Sequence, residues 1–352
     1  MVAKYKKALF LKTKNIGDSI ILTASIAGLP KQYRYVDVIC FPESKAIFQM
    51  NQRVRHIFVI PRDKKGIKKL AAYIKLFKQL FKEHYDLLAH FSNDWRGALL
   101  ARLLRHDISV SRQAPRRGSF WHQSFNFLAP VLDHIRPMAE QDVDLLRAAN
   151  LYKKSAAPAY ELHILNKQKN KLETWLHNHH IQSKNKLVVI HAASRWKFKE
   201  MPTPTWAKII DILKSHKIDV VVSGSHDDEK TNQLIYNHSQ LKPVLTQNFT
   251  LQDTATLYAL ADLVLTIDSM STHLASAVKT PVISIFGPTN EKNWGPWKGK
   301  HQVIGLSQDD AGMFKCRPCG QDGCEGSKVS QCLVQMDPEK VATQALSILK
   351  AH

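Results

Sequence analysis

Twice along this chain a short apolar run gives way to a stretch of helical periodicity and then to another apolar run, and that alternation leaves few folds open. Parallel strands cannot be joined by a tight turn; they need a crossover of a dozen or more residues, which is usually a helix. The first series starts with a strand at Lys7–Lys12 and continues with strands at 35–41, 56–59 and 87–90. Helices are expected after KTKNIG, at 67–82, at 95–104 and around 138–150. In the 67–82 stretch, Ile67, Leu70, Ala71, Ile74, Phe77, Leu80 and Phe81 recur at helical spacing with lysines between them, which reads as a packing face. The second series predicts a helix at 167–180, a strand at 186–191, a helix at 205–215 and a strand at 219–223. Helices at 227–238 and 251–259, a strand at Leu263–Ile267, a helix at 271–278, a strand at 282–286 and a last helix at Pro338–Lys350 follow. At 352 residues the chain exceeds the size at which a single core stops growing. The expectation is an α/β protein of two Rossmann-like domains, 1–160 and 161–352, whose parallel sheets face a central cleft. The polar, proline-containing stretch KKSAAPAYELHI serves as the linker between them.

Charge divides the chain less evenly than structure does. Residues 1–160 hold 28 Lys and Arg against 12 Asp and Glu, whereas residues 161–352 hold 22 against 18. Most of the formal net charge of +20 therefore belongs to the first domain, which should attract an anionic surface or polyanion. Nucleic acid suits such a field as well as a phosphorylated glycolipid does. No recognition motif accompanies the charge, so a nucleic-acid-binding protein is kept as an alternative and nucleic acid is not the expected partner. No apolar run approaches the roughly 20 residues of a spanning helix. The start, MVAKYKKALFLKT, is basic, but its apolar run is too short for a secretory leader, and a cytoplasmic chain is expected.

Several nucleotide signatures are absent. No GxGxxG follows a strand, no GxxxxGK[ST] occurs, and Asp142 and Asp144 sit inside a helical pattern rather than after a strand where a metal clamp would stand. The stretch DSMSTHLASAVKTPVISIFGPTNEKNW offers a different anion site. Asp268 ends a buried strand, and Ser269 and Ser271 stand where a helix begins, so unpaired backbone N–H groups point out beyond the strands' carboxyl ends. His273 lies in the first turn of the same helix, and Phe286-Gly287-Pro288-Thr289 makes a second strand-to-loop turn beside it. Read alone, Asp268 and Ser269 are equally well a helix cap.

This stretch resembles the donor-binding signature of glycosyltransferase family 9, D-[ST]-G-x-x-H-[LI]-A-A-A followed by a strand and F-G-x-T. Asp268, Ser269, His273, Leu274, Ala275, Phe286, Gly287 and Thr289 fit it; Met270 stands in place of the usual glycine. Three more segments resemble the family in the same order. KNIGDSIILTASIAGL is similar to its opening strand-turn-helix with a Gly-Asp pair. VVIHAASRWKFKEMP is similar to its phosphate-binding loop, with Met201 where tryptophan is usual. GSHDDE is similar to its ribose-binding turn. Together they cover nearly the whole chain, and the match is more specific to the family than to the sugar.

The resemblance implies a GT-B fold and an inverting, metal-independent transfer of heptose from ADP-heptose to the inner core of lipopolysaccharide. The enzyme would lie peripherally on the cytoplasmic face of the inner membrane. It implies Asp18 as catalytic base, Ser194, Arg195 and Lys199 as phosphate contacts, Asp227 at the ribose and Phe249 against the adenine. Asp268, Ser269, Met270 and His273 complete the donor site, with no cofactor and no divalent ion. A positioned carboxylate that takes a hydroxyl proton in the transition state is worth roughly 10²–10⁴-fold, which suits the role given to Asp18; its competing reading is an ordinary helix N-cap. On charge alone, Arg62, Lys64, Lys65, Arg112, Arg116 and Arg117 are the candidates to grip the carboxylates and phosphates of the acceptor. Trp121 reads equally as a sugar-stacking residue and as core. A GT-B transferase using a UDP- or ADP-hexose is the other enzymatic reading. Cys316, Cys319, Cys324 and Cys332, spaced C-x2-C-x4-C-x7-C, could hold a structural zinc or stay reduced thiols, and the last helix could return to the first domain.

Overall fold

The computed structural model describes residues 5–62, 64–132, 135–152, 159–181, 184–306 and 314–351. The chain separates into two compact units, Met1–His163 and Ile164–His352. Part of the expected linker, 153–158, lies outside the described residues.

The N-terminal unit is built on a parallel sheet of β1 (Lys7–Lys12), β2 (Tyr35–Cys40), β3 (Val54–Val59), β4 (His84–His90), β5 (Arg105–Arg112) and β6 (Phe127–Ala129). Its spatial order is β3-β2-β1-β4-β5-β6. Apolar β1 pairs on both sides, Leu9 with Asp37 and with Leu88, so its side chains are buried on both faces of the sheet. One face packs Phe10, Val38, Leu87 and Val110 against Leu22, Ile26, Val143 and Leu146 of the helices Ile16–Gly28 and Met138–Ala148. The other packs Leu9, Leu11 and Leu88 against Leu76, Leu80, Ala98 and Trp121. Trp121, 3% exposed, is therefore a core residue.

The C-terminal unit repeats the plan with β7 (Leu187–His191), β8 (Asp219–Val222), β9 (Val244–Leu245), β10 (Leu263–Ile267), β11 (Val282–Ile285) and β12 (His301–Ile304), ordered β12-β11-β10-β7-β8-β9. Counted from the first strand of each unit, the two orders follow the same winding, with the sheet growing outward in both directions from a central pair. Helix Pro338–Lys350 completes this unit's own core, where Val341, Ala342, Ala345 and Leu349 meet Trp206, Ile209, Ile210 and Leu213. Met201, 4% exposed, fills the same core at the place where the family usually has tryptophan.

Strands β6 and β9, three and two residues long, are too short to be read from the sequence, and β5 and β12 carry too little apolar pattern; β5, RHDISVSR, is mostly polar and is a strand because β4 and β6 pair with it. The helix Gly66–Leu80 corrects a different expectation. Leu76 and Leu80 are buried, with Tyr73 and Phe77 packed beside them, whereas Ile67, Leu70 and Ile74 are 86%, 61% and 47% exposed. The apolar positions in this helix form two faces, and only one of them packs.

Candidate functional site

In a doubly wound sheet, the strand order reverses between two central parallel strands, and the loops leaving their carboxyl ends part to open a crevice. That switch point lies between β1 and β4 in the first unit and between β10 and β7 in the second. Asp18 follows the first of these strand pairs, and Ser194, Arg195, Lys199, Asp268, Ser269, Met270 and His273 follow the second; the other residues singled out by the sequence lie at or beyond the ends of neighbouring strands.

At the first switch point, β1 ends in Lys12, whose side chain is 2% exposed, and a lysine so buried needs a counter-ion. Asp142, fully buried in the helix Met138–Ala148, accepts from Lys12 Nζ at 2.6 Å. Arg112 at the end of β5 donates to the same carboxylate at 3.2 Å and to the Gln141 backbone and side-chain oxygens at 3.0 Å each. Asp18 Oδ1 stands 3.9 Å from Lys12 Nζ with 15% of its side chain exposed. It is the third residue of helix Ile16–Gly28, whose N-cap is Asn15, so the N-cap reading of Asp18 falls away. The loops after β1 and β4 are tied together here, since the Thr13 N–H donates to Ser92 Oγ at 2.9 Å and the Thr13 hydroxyl donates to Asp94. His90 closes β4, stacked on Phe125, and burial pushes its pKa down to about 4, so a neutral ring packs there.

The basic candidates reach the same end of the sheet by different routes. Arg62, Lys64 and Lys65 follow β3 and are exposed, with Arg62 3.3 Å from Glu43 and lying over the Phe41 ring. Arg116 and Arg117 follow β5 and are also exposed; Arg117 donates to the Asn93 carbonyl and lies over Trp121. Arg112 differs from the others, because its guanidinium is committed to Gln141 and Asp142.

At the second switch point, Lys199 Nζ lies 2.6 Å from Asp268 Oδ2, joining the loop after β7 to the end of β10. That loop holds its own shape: Glu200 accepts from the Ser194 N–H at 2.8 Å and from Lys197 Nζ at 2.9 Å, and Ser194 Oγ accepts from the Trp196 N–H at 3.2 Å. Arg195 is exposed, lying over the Trp196 ring. Ser269 caps helix Met270–Ala277, accepting from the Ser271 N–H at 3.2 Å. Met270 opens that helix outside the left-handed region, so this backbone does not require the glycine usual in the family. His273 is 5% exposed.

Beneath the helix start runs a chain of buried hydroxyls. The Tyr258 hydroxyl donates to Ser271 Oγ at 2.9 Å and lies 3.2 Å from Ser223 Oγ, which is 3.4 Å from His191 Nδ1. Burial lowers the His191 pKa and pushes that of Tyr258 up to about 12, so the chain is uncharged. It holds the loops after β7 and β8 and the helix start in one arrangement. Asp227 is exposed in the turn after β8, where Asp228 ties the Ser225 N–H and hydroxyl at 2.8 Å each. Gly224 permits that turn, because a Cβ there would lie 2.5 Å from Asn232 Nδ2. Phe249, half-buried, meets Trp175 edge-on with centroids 4.9 Å apart.

Sequence reasoning gave no sign that Lys12 pairs with Asp142, the only signal being a lysine that closes an apolar strand, and it passed over Arg317. The last lies in the cysteine-rich segment with its side chain 5% exposed, donates from Nε to the Gly287 carbonyl at 2.7 Å and approaches Glu291 at 3.4 Å. The Gly320 N–H adds a bond to the Pro288 carbonyl at 2.8 Å, so this segment braces the loop after β11. Of the four thiols, Cys316 is exposed and Cys332 buried, its pKa pushed up to about 11 by desolvation. Among the described residues no group of three or more His, Cys, Asp or Glu is placed to hold a metal ion. A cavity of about 1120 Å³ lined by Glu173, His177, His180, Leu187 and Asp262 lies at the amino ends of β7 and β10, away from this chemistry.

Known proteins share both the sequence pattern and the fold. The family glycosyltransferase family 9 (heptosyltransferase) matches residues 73–322. Lipopolysaccharide heptosyltransferase 3 of Escherichia coli is 28% identical over 291 residues, covering 80% of this chain and 83% of that protein. Among solved structures, a family 9 glycosyl transferase from Veillonella parvula superposes with a TM-score of 0.82 at 17% identity, covering 100% of this chain and 99% of the other. The E. coli ADP-heptose lps heptosyltransferase II superposes with a TM-score of 0.77 at 18% identity over 98% and 99%.

Proposed function

This chain belongs to glycosyltransferase family 9, and on that footing we propose that it moves heptose from ADP-heptose to the inner core of lipopolysaccharide, by inversion and without a divalent ion. The donor belongs on the C-terminal unit and the acceptor on the basic N-terminal unit. One observation carries the reading: at the β10/β7 switch point a lysine is fixed beside a helix N-terminus, where a departing diphosphate would need positive charge. Lys199 exchanges Asp268 for a phosphate oxygen, Arg195 and Ser194 add donors from the same loop, and the N–H groups at Ser269 and Met270 receive the remaining charge. Asp227 takes the ribose hydroxyls, and Phe249 offers an aromatic edge to the base. His273, near the helix start, contributes to the wall of the sugar site.

Asp18 accepts the proton of the acceptor hydroxyl as that oxygen attacks the anomeric carbon and the bond to the diphosphate breaks. Lys12 holds the carboxylate in place, and Asp142 and Arg112 in turn hold Lys12. Arg62, Lys64, Lys65, Arg116 and Arg117, exposed in the loops after β3 and β5, supply cationic groups suited to the acceptor's carboxylates and phosphates; Arg112 serves the buried cluster. Such an acceptor is lipid-linked, which places the enzyme peripherally on the cytoplasmic face of the inner membrane. Among the described residues no helix is long and apolar enough to cross a membrane.

Incubation with ADP-heptose and with UDP- and ADP-hexoses, beside truncated lipopolysaccharide and in the presence of EDTA, tests the reading by mass spectrometry of the acceptor. Heptose addition that survives EDTA is expected. Preference for a hexose donor would overturn the sugar assignment, and a strict need for Mg²⁺ would overturn the metal-independent mechanism.

A further inference from the structure

We propose that the helix Gly66–Leu80 is an interfacial element whose outer face enters the surface of an anionic lipid bilayer. Its inner face is already satisfied, with Leu76 and Leu80 buried and Tyr73 and Phe77 packed against the N-terminal core. An adjoining face, about a quarter turn round the helix, carries Ile67, Leu70 and Ile74, roughly one helical turn apart and 86%, 61% and 47% exposed, and Phe81 just beyond the helix extends the line at 44%. An exposed apolar stripe of this length calls for something to cover it.

The charges beside the stripe select the occupant. Lys64, Lys65, Lys68, Lys69, Lys75, Lys78 and Lys82 accompany it, and no acidic residue lies between 64 and 82. A second copy of the chain would bring a like-charged helix against this one, and a neutral apolar protein groove would leave the lysines without counter-ions. A bilayer with anionic headgroups offers both halves of the complement: apolar chains to receive Ile67, Leu70 and Ile74, and phosphates at the depth to which lysine side chains extend. The helix follows β3 directly, by way of the loop carrying Arg62, Lys64 and Lys65, so docking it would hold the basic loop beside lipid headgroups. The inference rests on the lipid-linked acceptor reading for its purpose, while its geometry stands without it.

The test is co-sedimentation of the full chain, without donor or acceptor, with vesicles of phosphatidylcholine alone and of phosphatidylcholine mixed with phosphatidylglycerol. Binding is expected on the mixed vesicles only. The triple variant Ile67→Ser, Leu70→Ser, Ile74→Ser should weaken that binding by about tenfold or more, and Lys68→Gln, Lys75→Gln, Lys78→Gln should weaken it too and flatten its dependence on salt. Both variants should keep the wild-type thermal unfolding temperature and ADP affinity, because the altered side chains are exposed. Wild-type-like binding by the serine variant would overturn the proposal, as would absence of wild-type binding, or a wild-type dimer that the serine variant dissociates. Turnover on a deacylated, water-soluble acceptor reports separately on the transferase reading: failure there with intact vesicle binding would remove the assigned reaction and leave the docking helix standing.

Discussion

The same winding produces opposite electrostatics at the two switch points. In the N-terminal unit the crevice floor is ionic: Lys12 and Asp142 are 2% and 0% exposed, Arg112 joins them, and Asp18 stands at the edge of the cluster. In the C-terminal unit the floor is a neutral chain of serine, tyrosine and histidine, and its close ion pair, Lys199 with Asp268, is 18% and 10% exposed. Burial makes the first cluster costly to dismantle, since any member left alone becomes an unpaired charge in a poorly solvated site. The second pair is more exposed, so it can part at a smaller penalty than the first, which is what a cation awaiting a phosphate requires. The comparison teaches that one topology serves two tasks according to whether its charges are locked or exchangeable.

The sharpest way to break this comparison is at Asp18. Asp18→Asn keeps the shape and removes the proton acceptor, so turnover should fall by roughly 10²–10⁴-fold while calorimetry finds ADP affinity unchanged; turnover near the wild-type rate would take the base role away from it. The next effect concerns the locked pair. Lys12→Met leaves Asp142 short of its closest cation and should destabilise the protein by about 3 kcal/mol, read as a lower midpoint in urea; an unchanged midpoint would show that Arg112 alone suffices for Asp142. Smallest is the change at the exchangeable pair. Lys199→Met should weaken ADP binding by roughly tenfold, with an unfolding midpoint close to wild type. A large loss of stability there would mean that both pairs are structural, and the contrast between the units would collapse.

Much of the site could be read before any coordinates, because its groups stand where strands end and helices begin, and those boundaries leave local marks. Ser269 at a helix start, Asp268 closing an apolar strand and Gly224 in a tight turn are of this kind. Residues that act across long sequence separations were not legible. Lys12 meets Asp142 from 130 positions away, and Arg317 reaches Gly287 from 30. Trp121 and Arg112 looked available for ligands, and packing placed one in the core and committed the other to Asp142. The helix Gly66–Leu80 shows the same limit in another form: periodicity marked its apolar residues but could not distinguish the face that packs from the face that stays outside.

Local sequence determined the strand and helix series, its restart in the second half, and the residue types at each crevice, since backbone periodicity and capping act over a few neighbours. Tertiary structure alone decided that polar β5 is a strand, which charges are sealed and which can exchange, and which apolar side chains meet water. Those outcomes depend on what lies opposite each side chain, and pairing and burial between distant segments are settled only when the chain is packed.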